Sequence, residues 1–444
     1  MRFPRPRHPA QFVVAGFAAA VGLGTLLLML PVSRTGDSAA SALDALFVAT
    51  SAVCVTGLST VDTPVHWSGF GQAVILGLIQ LGGFGIMSLA TLLGLLASDR
   101  FGLRNRLNAA AEVRSLGLSD ARGVLLGVAR TSLLFEAAGA AVLTARFATT
   151  YDEPLARAVW LGLFHAVSAF NNAGFALFSD NLIGFIADPV ISAALCVLVI
   201  AGGLGFPVLF ELRRAWRTPR RWTLHTKLVA SMTALLLTVG VTMFVLLEWS
   251  NPKTLGPLSV GGKLVAGAFQ GVQPRTAGFN SVSTGDLRSE TLLGTDVLMF
   301  IGGGSAGTAG GIKVTTFAVL LFIILSEVRG DANATAFGRR LPREVQRQAL
   351  AIALLAVAVV VGSTGLLLLL TPFALDQVLF EVVSAFATVG LSTGITAQLG
   401  TGGQLLLVGL MFLGRLGPIT MASALALRSR PRLYELPEER PVIG

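Results

Sequence analysis

Eight long apolar segments dominate this 444-residue sequence. Each is about twenty residues or longer, the length that an α-helix needs to cross the hydrocarbon core of a bilayer. They lie at about 10–31, 69–97, 124–147, 182–210, 226–249, 291–326, 347–370 and 403–427. Charged residues are only 13% of the chain, about half their share in soluble domains, which excludes a soluble enzyme, a disordered chain and a disulfide scaffold. The sequence therefore predicts an all-α membrane protein with eight transmembrane helices.

Four shorter, half-apolar stretches alternate with these segments. They lie at about 40–51, 157–169, 259–271 and 374–385. None is long enough to cross a bilayer, so each is predicted to be a re-entrant half-helix. Such a half-helix is stable only where its ends are buried in protein or line a water-filled cavity. The chain thus follows one pattern, helix, half-helix with a turn, helix, four times.

Two sets of related motifs support this fourfold pattern. The first set follows the half-helices and reads SAVCVTGLS at 51–59, SAFNNAGFA at 168–176, VQPRTAGFNS at 272–281 and SAFATVGLS at 384–392. These motifs align on Gly57, Gly174, Gly278 and Gly390. The second set begins 24–28 residues later and reads GGFG at 82, GGLG at 202, GGGS at 302 and GRLG at 414. Because the two sets of motifs keep a nearly constant spacing, they predict four repeats, at 1–100, 101–215, 216–330 and 331–444.

The basic residues indicate how these repeats lie in the membrane. Each repeat crosses an even number of times, so all four are predicted to be parallel around a pseudo-fourfold axis along the membrane normal. Most of the 33 lysines and arginines fall near the N-terminus, at the three joins between repeats and near the C-terminus. Positive charge marks the cytoplasmic side, so both termini are expected there. The net charge of +9 is explained by topology, and nucleic acid is not expected as a partner.

The glycine turns are typical of a cation filter. Four half-helices that end in such turns can present carbonyl oxygens that replace the hydration shell of an ion. Half-helix C-termini also carry partial negative charge, which favours a cation. The alternative is that these glycines only allow close helix packing. The predicted filter residues are Val55, Thr56, Gly57, Asn172, Ala173, Gly174, Thr276, Ala277, Gly278, Thr388, Val389 and Gly390.

A glycine run interrupts the sixth apolar segment. Residues 302–313 read GGGSAGTAGGIK, and each glycine costs a helix about 0.8–1 kcal/mol relative to alanine. A non-helical loop at membrane depth is therefore predicted. The run also fits a dinucleotide fingerprint and a nucleophile elbow, but no strand precedes it. Its candidate gating residues are Gly302, Gly303, Gly304, Ser305, Gly307, Thr308, Gly310, Gly311 and Lys313.

Arg415 is a charge inside the last apolar segment. Such a charge is costly in a membrane and is normally functional. Two interpretations stay open: a structural pair with a carbonyl group or with Glu381, and a positive constriction near the pore centre that acts with the 302–313 loop. Arg275 lies inside the third glycine turn, and its orientation is not determined by the sequence.

Together these motifs resemble the Trk/Ktr/HKT superfamily of potassium transporters, and most closely the ion-translocating subunits of bacterial Ktr systems. The resemblance also rests on GGGSAGTAGGIKVTT and GRLGPIT. It implies that the four aligned glycines select K⁺, that the 302–313 loop is a gate, and that Gly57 favours potassium, because sodium-admitting plant relatives have serine there. It further implies a homodimer in the bacterial plasma membrane, docked on a cytoplasmic ring of KtrA-type subunits that bind ATP or ADP. Stimulation by Na⁺, and uniport or symport, stay open.

Two other classes of membrane protein would require features that differ from those of this sequence. An alternating-access carrier would predict inverted repeats and acidic residues at matching midplane positions, and the second helices of the repeats offer none. An intramembrane hydrolase would need a nucleophile beside a base, and no such constellation is evident. The chain is therefore expected to transport ions and not to be an enzyme.

Overall fold

A computed structural model of the chain describes residues 9–36, 41–98, 121–331 and 333–427. These residues form fifteen α-helices, five short 3₁₀ helices and one short hairpin. The helices are α1 Pro9–Leu28, α2 Ala42–Val53, α3 Thr63–His66, α4 Gly69–Ser98, α5 Ala121–Thr150, α6 Leu155–Phe170, α7 Pro189–Leu204, α8 Phe206–Ala215, α9 Leu224–Glu248, α10 Val260–Val272, α11 Ser289–Ile301, α12 Val314–Val328, α13 Arg343–Leu370, α14 Leu375–Phe386 and α15 Thr401–Leu427. Strands β1 Thr335–Ala336 and β2 Arg339–Arg340 pair antiparallel.

The half-helices α2, α6, α10 and α14 form the centre of the molecule. The side chains near their C-terminal ends are almost completely buried. The long helices, in contrast, expose large apolar side chains, for example Leu134 (64% exposed), Leu246 (71%) and Leu369 (85%). Apolar surface of this extent is what a helix presents to lipid. The fold is therefore that of a membrane protein whose short helices are enclosed by longer ones.

A helix lies in each of the eight predicted apolar segments, but not all of them are continuous spans. Among the described residues, three helices are long and apolar enough to cross a membrane: Leu125–Thr150, Leu224–Glu248 and Arg343–Leu370. The sixth segment is divided, because α11 ends at Ile301 and α12 begins at Val314. Residues 302–313 between them are not helical.

The prediction of one continuous helix over 182–210 is wrong. Helices α7 and α8 meet at an angle of 103°, and they make a fourth span only if the bent pair is counted as one. Gly205 lies at the bend with a φ of 89°, a conformation that glycine reaches without strain. The space on the Cβ side of Gly205 is filled by the carbonyl group of Ser305, 2.5 Å from where a Cβ would lie. The 302–313 loop therefore occupies the inside of the bend.

Basic residues at two of the predicted cytoplasmic joins lie in described parts of the chain. One join, at 213–227, contains the end of α8 and the start of α9, and the other, at 329–347, contains the β1–β2 hairpin. The basic residues at 2–7 and 428–440, and most of those at 100–122, lie outside the described residues.

Three glycines set the distance between the half-helices and the helices that follow them. Gly82 in α4, Gly202 in α7 and Gly414 in α15 are the first glycines of the second motif set. A Cβ on any of them would overlap the carbonyl oxygen of the last half-helix residue, respectively Val53, Phe170 and Phe386. In the third predicted repeat a different close contact is made by the preceding helix, α9, because a Cβ on Gly240 would lie 2.6 Å from the carbonyl oxygen of Gly271, the second-last residue of α10. Gly302 instead leaves the helix with a φ of 70°.

We predict that Gly414→Ala destabilises the protein, whereas Gly409→Ala in the same helix does not. A methyl group at 414 would overlap the Phe386 carbonyl oxygen, but nothing lies within 4 Å of a Cβ at 409. Overpacking of this kind lowers the free energy of unfolding by about 1–3 kcal/mol. Gly409→Ala, at an exposed position of the helix, should be neutral or slightly stabilising. Thermal unfolding of the purified variants measures the difference. Equal melting temperatures for the two variants would contradict the close packing at Gly414.

Candidate functional site

The glycine turns, at 54–57, 171–174, 275–278 and 387–390, share an unusual backbone conformation. In each turn the aligned glycine has a positive φ: 95° at Gly57, 70° at Gly174, 74° at Gly278 and 96° at Gly390. The residue two positions earlier also has a positive φ: 56° at Val55, 58° at Asn172, 66° at Thr276 and 50° at Thr388. Left-handed backbone at a β-branched residue is costly and clusters at functional sites. The same conformation at the same two positions of all four turns indicates a common purpose.

Three of these turns end their half-helices in the same way. The N–H groups of Thr56, Ala173 and Val389 donate to the carbonyl groups of Ser51, Ser168 and Ser384, at 2.8, 2.7 and 2.8 Å. This six-residue closure around a left-handed residue satisfies carbonyl groups that a helix end would otherwise leave unpaired. The third turn, which follows Pro274, departs from the pattern. There the N–H of Ala277 donates to Gln273 at 3.0 Å.

The four glycines form a closed ring. The backbone carbonyl oxygen of the next turn occupies the place where a Cβ on each glycine would lie. The contacts join Gly57 to the carbonyl group of Ala173, Gly174 to that of Ala277, Gly278 to that of Val389, and Gly390 to that of Thr56. Because the last contact returns to the first turn, the turns follow one another around a common centre in chain order.

Three serines support the glycine turns, and the sequence analysis did not identify them. The Oγ atoms of Ser51 and Ser384 accept hydrogen bonds from the N–H groups of Gly57 and Gly390, at 3.0 and 3.1 Å. Ser168 instead donates to the carbonyl group of Phe175 at 2.8 Å. The signal was available, since each of these serines begins its motif six residues before the aligned glycine.

The 302–313 loop packs against the bent pair α7–α8. The N–H groups of Gly304 and Thr308 donate to the carbonyl groups of Gly203 and Gly202, at 2.8 and 3.2 Å. The N–H of Phe206, the first residue of α8, donates back to the carbonyl group of Ala306 at 3.4 Å. These backbone bonds replace those that a continuous helix would have made.

The same loop also contacts two of the glycine turns. The Thr308 hydroxyl donates to Oδ1 of Asn172 at 2.8 Å, which attaches the loop to the second turn. Gly310 lies against Thr388 and the carbonyl group of Ala387, at the fourth turn. Ser305 and Thr315 hydroxyls are 2.8 Å apart, and Lys313 donates to the carbonyl group of Ala309 within the loop. The loop therefore extends from one side of the glycine ring to the other.

Arg415 connects this loop to the first predicted repeat. Its guanidinium donates to the carbonyl group of Thr308, and at 3.2 Å to that of Gly82. The residue is 3% exposed, and in the described chain no carboxylate lies within 4.0 Å of it. Of the two predicted partners, the structure therefore shows carbonyl groups and not Glu381, which accepts from Ser392 and Thr396.

The side chain of Arg275 does not lie in the glycine ring. It is 6% exposed and lies in a crevice with Val199 and Gly203 of α7 and Leu237 of α9. Its Nη2 donates to the hydroxyl of Thr233 at 3.4 Å. Its carbonyl group, in contrast, faces the second turn and accepts from Nδ2 of Asn172 at 3.3 Å.

The chain is similar to known proteins along almost its whole length. The family model described as TrkH, cation transport protein, matches residues 2–431. The Ktr system potassium uptake protein B of Bacillus subtilis is 39% identical over 418 residues, covering 94% of this chain and 93% of that protein. The Potassium/sodium uptake protein NtpJ of Enterococcus hirae is 36% identical over 447 residues, covering 98% of this chain and 97% of that protein. The crystal structure of the potassium transporter TrkH from Vibrio parahaemolyticus matches with a TM-score of 0.73 and 17% identity, covering 97% of this chain and 87% of the other.

We predict that Thr308→Val loosens the loop and that Thr308→Ser does not. Valine has nearly the shape of threonine but lacks the hydroxyl that binds Asn172, whereas serine keeps it. A buried polar atom left without a partner costs about 1–3 kcal/mol, so the loop amides of Gly304 and Thr308 should exchange faster in the valine variant. Hydrogen exchange of peptides covering 302–313 measures this. Identical protection in the valine and serine variants would contradict a role for the hydroxyl bond.

Proposed function

Because this chain belongs to the TrkH family of cation transport proteins, we propose that it is the ion-translocating subunit of a bacterial potassium uptake system. Membership of the family confirms the resemblance found in the sequence. The relatives named above are potassium uptake proteins, or potassium and sodium uptake proteins. From the names of these relatives we propose that this chain transports K⁺. Whether Na⁺ stimulates the transport is a question for experiment.

The closed glycine ring is the observation that carries the proposal. It places one carbonyl oxygen from each turn, those of Thr56, Ala173, Ala277 and Val389, around one centre. Rings of carbonyl oxygens replace the hydration shell of K⁺ in selectivity filters. We propose that the twelve predicted turn residues form such a filter, with K⁺ held near the four glycines.

The proposed pore has four parallel repeats, at 1–100, 101–215, 216–330 and 331–444, around a pseudo-fourfold axis. In this arrangement eight spans surround the ring, two of them broken, at Gly205 and at 302–313. The four half-helices direct their C-terminal ends, which carry partial negative charge, at the centre. That field attracts a cation to the filter and repels an anion.

The 302–313 loop is proposed to gate this pore. In this structure it extends from Asn172 at the second turn to Thr388 at the fourth, so it crosses the path of an ion that leaves the ring. Arg415 holds the Thr308 carbonyl of the loop and adds positive charge at the same place, together with Lys313. Opening would require this loop to leave the path.

Regulation is proposed to reach the loop through α8. This helix carries Arg213 and Arg214 in its last turn, as expected at the cytoplasmic side, and its first residue is hydrogen-bonded to Ala306 of the loop. We propose that the chain forms a homodimer in the plasma membrane, with both termini cytoplasmic. A cytoplasmic ring of KtrA-type subunits that bind ATP or ADP would dock on this homodimer. Such a ring could act on the 302–313 loop by moving α8.

We predict that the chain restores growth at low potassium to a bacterium that lacks potassium uptake, when a KtrA-type partner is co-expressed. Gly57→Ser should lower the preference for K⁺ over Na⁺ by about tenfold or more. A serine side chain at 57 would overlap the Ala173 carbonyl group, and the positive φ of residue 57 is unfavourable for any residue that has a Cβ. Gly77→Ser is the matched control, because nothing lies within 4 Å of a Cβ at 77. Uptake is measured with and without added Na⁺. No growth with the well-expressed chain and its partner would overturn the proposal.

We predict that Arg415→Ala raises K⁺ flux in the absence of the activating nucleotide. The change removes the charge-assisted bonds to Thr308 and Gly82, worth about 1.5–3 kcal/mol each, so we expect basal flux to rise about tenfold. Arg415→Lys keeps the positive charge and should give a smaller rise. Flux into proteoliposomes measures the effect, and unchanged basal flux and unchanged nucleotide response in Arg415→Ala would remove Arg415 from the gate.

A further inference from the structure

A second set of hydrogen bonds lies beyond the ring glycines. In three turns the residue three positions after the glycine, which is Thr60, Leu177 or Ser281, donates a hydrogen bond to a side chain of the half-helix that precedes its own turn. In the fourth turn the hydroxyls of Ser392 and Thr396, two and six positions after Gly390, make this connection. The four acceptors are Asp44, His165, Gln270 and Glu381. We call these four side chains the braces.

The brace of the second turn is a neutral imidazole. Nε2 of His165 accepts from the N–H of Leu177 at 3.3 Å, and Nδ1 lies 2.8 Å from the carbonyl oxygen of Leu161. A carbonyl oxygen only accepts and an N–H only donates, so the proton must be on Nδ1. The ring is 1% exposed, and it stacks on Phe178 with the ring centroids 5.1 Å apart.

The third and fourth turns use oxygen atoms for the same purpose. Oε1 of Gln270 accepts from the N–H of Ser281 at 3.2 Å. The Glu381 carboxylate accepts from the hydroxyls of Ser392 and, at 3.1 Å, Thr396. Gln270 is 2% exposed and Glu381 is 0% exposed. In the second, third and fourth turns a buried side chain of the half-helix thus reaches back to the segment that leaves the turn.

The first turn has the same connection with a different donor. Oδ1 of Asp44 accepts from the hydroxyl of Thr60 at 2.6 Å, and the other carboxylate oxygen accepts from Ser41 at 2.6 Å. Asp44 lies in the first turn of α2, whereas the other three braces lie eight or nine residues before their glycines. Four unlike side chains therefore make the same kind of contact with the segment that leaves each turn.

We propose that the braces are positioning residues that set the spacing of the carbonyl ring and, with it, the preference for K⁺ over Na⁺. This inference rests on the proposed function. Each turn is attached to its half-helix before the glycine, through the helix-end hydrogen bonds, and after it, through the brace. The second attachment begins only two or three positions after the glycine. A ring held on both sides resists the contraction that the smaller Na⁺ requires.

Loss of the acceptor atom should therefore change ion selectivity more than it changes folding. Glu381→Met and Gln270→Met keep much of the side-chain volume but remove the acceptor. Glu381→Gln keeps one acceptor oxygen, and it removes the charge and the second acceptor oxygen. Val382→Ala is the matched control, because Val382 is a fully buried neighbour of Glu381 in the same half-helix with an apolar side chain.

The test measures K⁺ and Na⁺ uptake by the full-length variants, co-expressed with a KtrA-type partner, in a bacterium that lacks potassium uptake. We expect both methionine variants to lose about tenfold in the K⁺ over Na⁺ preference. Glu381→Gln and Val382→Ala should stay close to the unmodified chain. The amount of each variant in the membrane and its elution as a single species in detergent report on folding.

The possible outcomes separate this inference from the proposed function. If the unmodified chain takes up no K⁺, the proposed function fails. If it takes up K⁺ and the folded Glu381→Met and Gln270→Met variants keep its selectivity, the braces have no positioning role. A loss of selectivity in Glu381→Gln equal to that in Glu381→Met would also overturn the inference, because the acceptor atom is then not what matters. If Glu381→Met does not fold, Gln270→Met decides.

Discussion

A helix that stops inside a membrane leaves its last carbonyl groups without partners, and the bilayer core has no water to supply them. The four half-helices of this chain end inside the protein, where their last residues are buried. All four turn back through a left-handed residue, and after Val55, Asn172 and Thr388 the next N–H group satisfies part of the helix end. In the function proposed above, a cation satisfies the carbonyl groups of the ring. The enclosing helices, the close glycine contacts and the loop all follow from the need to keep these four ends buried and aligned.

Glycine serves three separate purposes around these ends. At the ring, Gly57 and its three counterparts leave room for the carbonyl oxygen of the next turn. At Gly82, Gly202 and Gly414 the absence of a side chain lets a helix backbone touch the end of a half-helix. In the 302–313 loop, glycine allows backbone hydrogen bonds to α7 where a helix would otherwise continue. A composition rich in glycine therefore reflects close approach of backbones more than flexibility.

The sequence was informative where a residue type alone determines the structure. Apolar length located the helices, half-apolar length located the half-helices, and repeated motifs located the turns and the 302–313 loop. It was less informative where the structure depends on contacts between distant residues. The bend at Gly205 depends on the loop that fills its inner side, and the partners of Arg415 are carbonyl groups, which every residue carries. The braces were missed because Asp44, His165, Gln270 and Glu381 share no residue type, although each acts as an acceptor.

The closed contact between the last turn and the first has a consequence for how such a protein can change. Each quarter of the ring belongs to a different stretch of one gene, so a single substitution alters one quarter and leaves three intact. In a ring of four identical subunits, the same substitution would appear four times. The residue two positions before the ring glycine is already valine, asparagine or threonine, at Val55, Asn172, Thr276 and Thr388, which is the kind of divergence that this arrangement permits. The ring of such a chain can therefore change in small steps, one quarter at a time.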